Sequence, residues 1–252
     1  MFEPENVNRV EGATTASFGR RKAEVFLERV RDINPEAEVE TFFSGVTEEN
    51  IEPFMCGASL VLDESELTKP EIGSLIARRA RAQGIPDLLV MNVGFAAQVT
   101  SFAPSSSWTF ERFMGFSPDM PLDEIAEAGV DFSRCLPYIP PYTDLRSLQA
   151  VQGEDGQEPA SLPSISIGVD VASAIGTTQA FLHLTAGVSN RRRSPVWAPR
   201  MAYTDAYSLR TRIIRVGKAS HVRHLLLAAG RQQYGLNPRG SYTLADIARR
   251  RG

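Results

Sequence analysis

The sequence predicts an α/β protein built on a parallel sheet, followed by a mainly helical C-terminal extension. Three observations predict it. Short apolar runs that stop at an acid or amide, "ASLVLD" and "IPDLLVMNVGF", read as buried parallel strands. Amphipathic helical stretches alternate with them, as crossover helices do. The composition, 42% hydrophobic and 23% charged, is that of an ordinary globular protein.

The elements follow in order. "TTASFGRRKAEVFLERVRDINP" predicts a helix capped by Thr14, Thr15 or Ser17. Its Val25, Phe26, Val30 and Ile33 fall at helical spacing, and Asn34-Pro35 stops it. "AEVETFF" alternates like a strand, and "TEENIEPFM" reads as a short helix capped by Thr47. "KPEIGSLIARRARAQG" is an amphipathic helix with Pro70 in its first turn and Gly84 at its end. Further on, "WTFERFMGF" and "LDEIAEAG" predict short helices, "LPYIPPYTDL" an extended stretch and "QGEDGQEPASLPS" a flexible loop. "SISIGVDVASAIGTTQAFLHLTAG" is a long apolar helix. Its small residues Gly168, Ala172 and Gly176 share one side, so it lies against the sheet or a partner subunit. "KASHVRHLLLAAGRQQYG" and "TLADIARRR" predict two more helices. We place one α/β domain over residues 1–190, with a crossover loop at about 100–160, and the extension over 191–252.

Composition also excludes. A formal net charge of −3 gives no general attraction for nucleic acid or an anionic membrane. No apolar run is long enough to cross a bilayer, and the acidic N-terminus is unlike a secretory signal, so a cytoplasmic protein is expected. Two cysteines make neither a disulfide framework nor a four-thiolate zinc site. Cys56 reads as core filler, and Cys135 as a structural thiol rather than a nucleophile. His221 and His224 share a helix face but have no nearby acid, which argues against a metal site. The "RRR" runs at 191–193 and 249–251 read as solvated ends.

The chemistry gathers at the strand ends, where open parallel sheets bind ligands. Asp63 and Glu66 follow one strand and Asn92 ends the next, while Arg9 and Lys22 supply cations from a loop and the first helix. Cations for phosphate and carboxylates for a metal suit a nucleoside triphosphate with magnesium.

"FEPENVNR", "FGRRKAEVFLERVRDINPEAEVE" and "ENIEPFMCGASLVLDESE", in that order and spacing, resemble the ThiF/MoeB/HesA superfamily of ubiquitin-activating-like adenylyltransferases, over roughly residues 2–92. The later "PSISIGVDVASAIGTTQAFLHLTAG" is similar to the helix after the family's crossover loop. The resemblance implies a Rossmann-like, three-layer ThiF-type fold. It also implies ATP-dependent activation of a carboxylate, on a small ubiquitin-like carrier protein or a peptide, as an acyl-adenylate. By motif position Asn6 and Arg9 would contact the nucleotide, Lys22 the phosphates, and Glu66 with Asp63 magnesium. The family's structural zinc is not expected, since no Cys-x-x-Cys pair is present. Related proteins pair through their sheets and long helices, which implies a homodimer.

This sequence departs from the pattern. Glu66 stands for aspartate, and Leu67 for the asparagine after it. The family's strand, glycine-rich turn and helix ahead of the "NVNR" loop have no counterpart here, so an incomplete N-terminal side with an exposed hydrophobic seam is expected. Two rival readings remain open: a catalytically inactive scaffold of the same fold that binds a peptide, and a nicotinamide-dependent oxidoreductase.

Overall fold

The computed structural model describes residues 1–130, 140, 142, 164–188, 193–217 and 226. Strands β1 (Val61–Asp63), β2 (Asp87–Val93), β3 (Ala96–Phe102), β4 (Arg200–Asp205) and β5 (Arg210–Arg215) form one sheet in that order. Only β1 and β2 run parallel; the other neighbours are antiparallel. The expected parallel sheet is therefore a mixed one. The reason is local: β2 and β3 are joined by the two residues Gly94-Phe95, a connection open only to an antiparallel pair. Gly94 holds φ +57°, which a side chain would strain.

Two helical layers sandwich the sheet. Helix α3 (Pro70–Gln83) with the short α4 (Phe110–Met114) and α5 (Leu122–Ala128) covers one face. Helix α6 (Ser166–Leu184) covers the other. Because β2 is buried on both faces, its residues alternate between two cores. Leu89, Met91 and Val93 join Ala77, Phe110 and Phe113 on the α3 side, while Leu88 and Val90 join Ala172 and Ala180 on the α6 side. The small residues of α6 set its close approach: a Cβ on Gly168 would lie 1.9 Å from the Gly94 carbonyl oxygen, and one on Gly176 would lie 2.9 Å from Val90 Cγ2. Of the two surfaces expected for this helix, the sheet is the one its Gly168, Ala172 and Gly176 meet.

Several expectations held in detail. Pro70 opens α3, and Gly84 closes it in the left-handed conformation that glycine adopts without penalty. The predicted helices at 108–116 and 122–129 are α4 and α5, and Thr109 caps α4 by accepting the Arg112 N–H. Others are corrected. Helix α1 spans only Lys22–Ile33, because Ser17 is spent on a turn: its Oγ accepts the Thr14 N–H at 2.8 Å and donates to the Gly12 carbonyl at 2.7 Å. The helix α2 (Ile51–Phe54) begins after Asn50 rather than Thr47, and Asn50 Oδ1 accepts the Thr47 N–H. Residues 37–43 form no strand, since no described strand lies beside them to complete a ladder. Cys56 is exposed, because the chain turns outward after α2, so it does not fill the core. Strands β3, β4 and β5 were not anticipated.

Unburied apolar surface is not confined to the N-terminal side, since Phe181 and Leu184 of α6 and Leu209 before β5 are exposed as well. Helix α1 buries none of its residues, although Phe26 packs on Phe2 at a ring separation of 6.1 Å. Leu62, on the outermost strand β1, is 52% exposed. Among the described residues no helix is long and apolar enough to cross a membrane. Cys135, His221, His224, the arginines at 249–251, most of the predicted loop at 152–164 and the predicted helices after residue 217 lie outside the described residues.

Candidate functional site

A cavity of about 430 Å³ opens at the carboxyl ends of β1 and β2, on the α6 side of the sheet. Three segments build it. The loop after β1 contributes Glu64, Ser65, Glu66, Leu67 and Thr68; β2 contributes Asn92; and α6 contributes Ala172 and Ser173. Its position follows from the fold, since strand ends leave backbone and polar side chains without a ladder. Small residues on α6 leave the space that larger ones would fill.

The polar groups are held in place from behind. Asp63, which ends β1, is buried, and its Oδ1 accepts the Ser65 N–H at 2.8 Å, shaping the loop that carries Glu66. Asn92 Nδ2 donates to Ser164 Oγ at 2.7 Å, tying β2 to the start of α6. Burial pushes the Asp63 carboxyl above its ordinary range, against the Ser65 hydrogen bond that lowers it. Burial, with the neighbouring Asp63 charge, raises Glu64 as well.

The predicted site residues fall into two groups. Glu66 lines the cavity and Asp63 underpins the same loop. Asn6, Arg9 and Lys22 stand outside the lining. Asn6 is buried in a short 3₁₀ turn, where its Oδ1 accepts the Glu3 N–H at 3.1 Å. Arg9 is partly exposed, and its Nη1 donates to the Glu5 carbonyl and to Asn8 Oδ1. Lys22 is the exposed first residue of α1. The amide–arginine loop nevertheless reaches the cavity's neighbourhood, because the Ser166 N–H at the start of α6 donates to the Asn8 carbonyl at 2.9 Å.

Among the described residues, the donor set of the lining is acid, amide and hydroxyl. Hard oxygen donors of this kind fit magnesium, which keeps several waters and takes one or two carboxylates from a protein. Among the described residues no group of three or more acids, histidines or cysteines is arranged to enclose a metal.

A second buried acid group lies under α3. Glu111 is fully buried, and both of its oxygens accept from the Arg81 guanidinium at 3.0 Å while Arg78 Nε also donates at 3.0 Å. Burial pushes its carboxyl up, but the arginine and backbone hydrogen bonds outweigh that and hold it below its usual value. Asp87 is also buried, yet neither of its carboxylate oxygens has a hydrogen-bond partner. Burial, then the Asp63 and Glu111 charges, raise it well above the ordinary range; Arg81 and the Leu88 amide lower it less. Sequence reasoning missed Glu64, Ser164, Asp87 and Glu111 as structural or site residues. An acid amid apolar residues, as in "TFERFM", was the available signal for Glu111; Ser164 had none.

Comparison with known proteins follows the same lines. The chain is 38% identical to the tRNA threonylcarbamoyladenosine dehydratase of Escherichia coli (strain K12) over 95 residues, 37% of this chain and 34% of that protein. Its fold is similar to that of PaaA, with a TM-score of 0.56 at 14% identity, covering 85% of this chain and 53% of that one. It is also similar to E. coli MccB solved with ATP, with a TM-score of 0.54 at 11% identity, covering 86% of this chain and 54% of MccB. MccB, a microcin C7 biosynthetic enzyme, has also been solved in complex with N-formylated MccA. The chain thus spans about half the length of these solved structures and a third of the curated relative. The ThiF family model matches residues 1–224, nearly the whole of what is described, and on that ground the chain belongs to the ThiF family.

Proposed function

We propose that this chain forms the acid-lined part of an adenylation site, which activates a carboxylate on a peptide or small carrier protein at the expense of ATP. The observation that carries this reading is Glu66 in a cavity at the strand ends of a ThiF-family chain. ATP supplies the α-phosphate to which the substrate carboxylate becomes joined, with pyrophosphate leaving. Glu66 holds magnesium there, and Asp63 assists by fixing the loop that presents Glu66. Arg9, on the loop whose Asn8 carbonyl meets the start of α6, and Lys22, on α1, would neutralise phosphate charge, and Asn6 closes the turn that presents Arg9. Asn92 and Ser164 provide hydrogen bonds to the nucleotide side of the cavity. The peptide partner is favoured because MccB, of similar fold, has been solved with MccA.

ATP–pyrophosphate exchange, driven by a peptide with a free C-terminal carboxylate, tests the reading. Exchange should vanish when the peptide is amidated. Glu66→Gln should lower it about a hundredfold, through a lost metal ligand. Arg9→Ala should raise the KM for ATP about tenfold, through a lost charge-assisted contact. Wild-type protein that binds peptide without any exchange would instead support the inactive scaffold.

We also propose that the chain self-associates as a homodimer. The exposed Leu62 on the outer edge of β1 is the feature that a second copy would cover.

A further inference from the structure

We propose that Tyr142 is a positioning residue for the cavity, acting through the β2–β3 turn. This rests on the adenylation reading for its functional consequence, but not for its structural one.

Tyr142 sits in a socket made by two hairpin ends. Its hydroxyl accepts the Phe95 N–H at 3.1 Å and donates to Asp205 Oδ1 at 3.1 Å. Its ring packs edge-on to Phe95 at 5.6 Å and to Tyr207 at 5.0 Å. Asp205 is buried and is itself held, since Oδ1 accepts the Tyr207 N–H at 3.1 Å and Oδ2 accepts the Ser208 hydroxyl at 2.6 Å. The Ala206 N–H donates to the Phe95 carbonyl at 3.1 Å, so the two hairpin ends are also joined directly.

The socket leads to the cavity in three contacts. The ring of Tyr142 lies so close over Gly94 that a Cβ there would stand 2.9 Å from Cε2. Gly94 in turn pairs with Ser164 as an isolated bridge and touches Gly168 of α6 through its carbonyl. Ser164 then accepts from Asn92, and both of these line the cavity. Gly94, which needs positive φ, has no side chain to anchor the first position of this turn, so its placement depends on what packs over it. Tyr142 packs there, and it also meets the Phe95 ring and backbone N–H at the second position. It sets the turn, and the turn sets Asn92 against Ser164.

The two hydrogen bonds to Phe95 and Asp205 touch no ligand, so substituting Tyr142 should alter binding geometry rather than remove a reacting group. Tyr142→Phe keeps the ring packing and loses both hydroxyl contacts. In the full chain it should raise amide hydrogen exchange at residues 92–95 and 164–168. It should also raise the KM for ATP about tenfold while kcat stays within about twofold, the scale of one or two lost hydrogen bonds. Asp205→Asn retains an acceptor for the hydroxyl and should stay near wild type, whereas Asp205→Ala should reproduce the phenylalanine variant. Tyr142→Phe and Asn92→Ala should raise KM less together than the product of their separate effects, because they act on one contact.

Unchanged amide exchange at 92–95 and 164–168 in both Tyr142→Phe and Asp205→Ala overturns the proposal. So does a drop in melting temperature with KM unmoved. A wild-type chain with no pyrophosphate exchange sinks the adenylation reading alone, and the amide exchange still decides whether Tyr142 positions the cavity wall.

Discussion

Asp87 shows how much one buried side chain can set against a fold. A carboxylate without hydrogen bonds in the interior pays desolvation with little return. Burial raises its folded pKa well above the unfolded one, so the folded state binds its proton more tightly. The cost is therefore present in full at high pH, and it is relieved as pH falls toward the ordinary carboxylate range. Asp87→Asn should raise the unfolding free energy by roughly 1–3 kcal/mol at neutral pH, with the gap closing as the solution is acidified. Urea denaturation of both proteins across that range checks this. An asparagine variant less stable than wild type at neutral pH would mean that the charge has a stabilising partner. Glu111 makes the useful contrast: equally buried, it is paid back by two arginines, and its pKa moves the other way.

At the scale of elements, α6 decides the geometry of the site. Its residues are apolar or small nearly all round, a composition that reads as buried. Which side faces the sheet is set by glycine. Gly168 meets the β2–β3 turn so closely that Gly168→Ala must displace the helix or the turn. Alanine gains about 1 kcal/mol in helix propensity, but a clash with backbone exceeds that, so the variant should lose about 2–4 kcal/mol overall. Thr177→Ala, at an exposed position of the same helix, should change little. Chemical denaturation of the two, side by side, separates packing from propensity. Equal stability would show that the turn yields.

At the scale of the whole molecule, among the described residues the sheet ends on one side at β1, three residues long, with Leu62 exposed. Helix α1 lies nearby in sequence with no buried residue. An apolar strand edge is a template for pairing with another chain, and a charge on it is the usual protection. Light scattering over a concentration series should show the wild-type chain rising from the mass of one copy toward that of two. Leu62→Lys should hold it at one. A wild-type chain that stays monomeric throughout removes the homodimer.

Much of this architecture was legible in the residues. "KPEIGSLIARRARAQG" carried its own start and stop in Pro70 and Gly84, and the structure places α3 between them. The motif order from "NVNR" to "LVLDESE" pointed to the ThiF family, and Glu66 does line the cavity. Local chemistry determined these features: helix punctuation, apolar period and the acid at a strand end act over a few residues. The tertiary structure decided what depends on distant partners. Alternation in residues 37–43 produced no strand, because a ladder needs a neighbour. The apolar run of β2 did form a strand, because β1 and β3 flank it. Ser164 met Asn92, and Tyr142 met Asp205, across separations of 72 and 63 residues that no local pattern encodes. Backbone pairing and burial are properties of what comes together in space, and so the wall of the cavity was fixed only when the chain closed on itself.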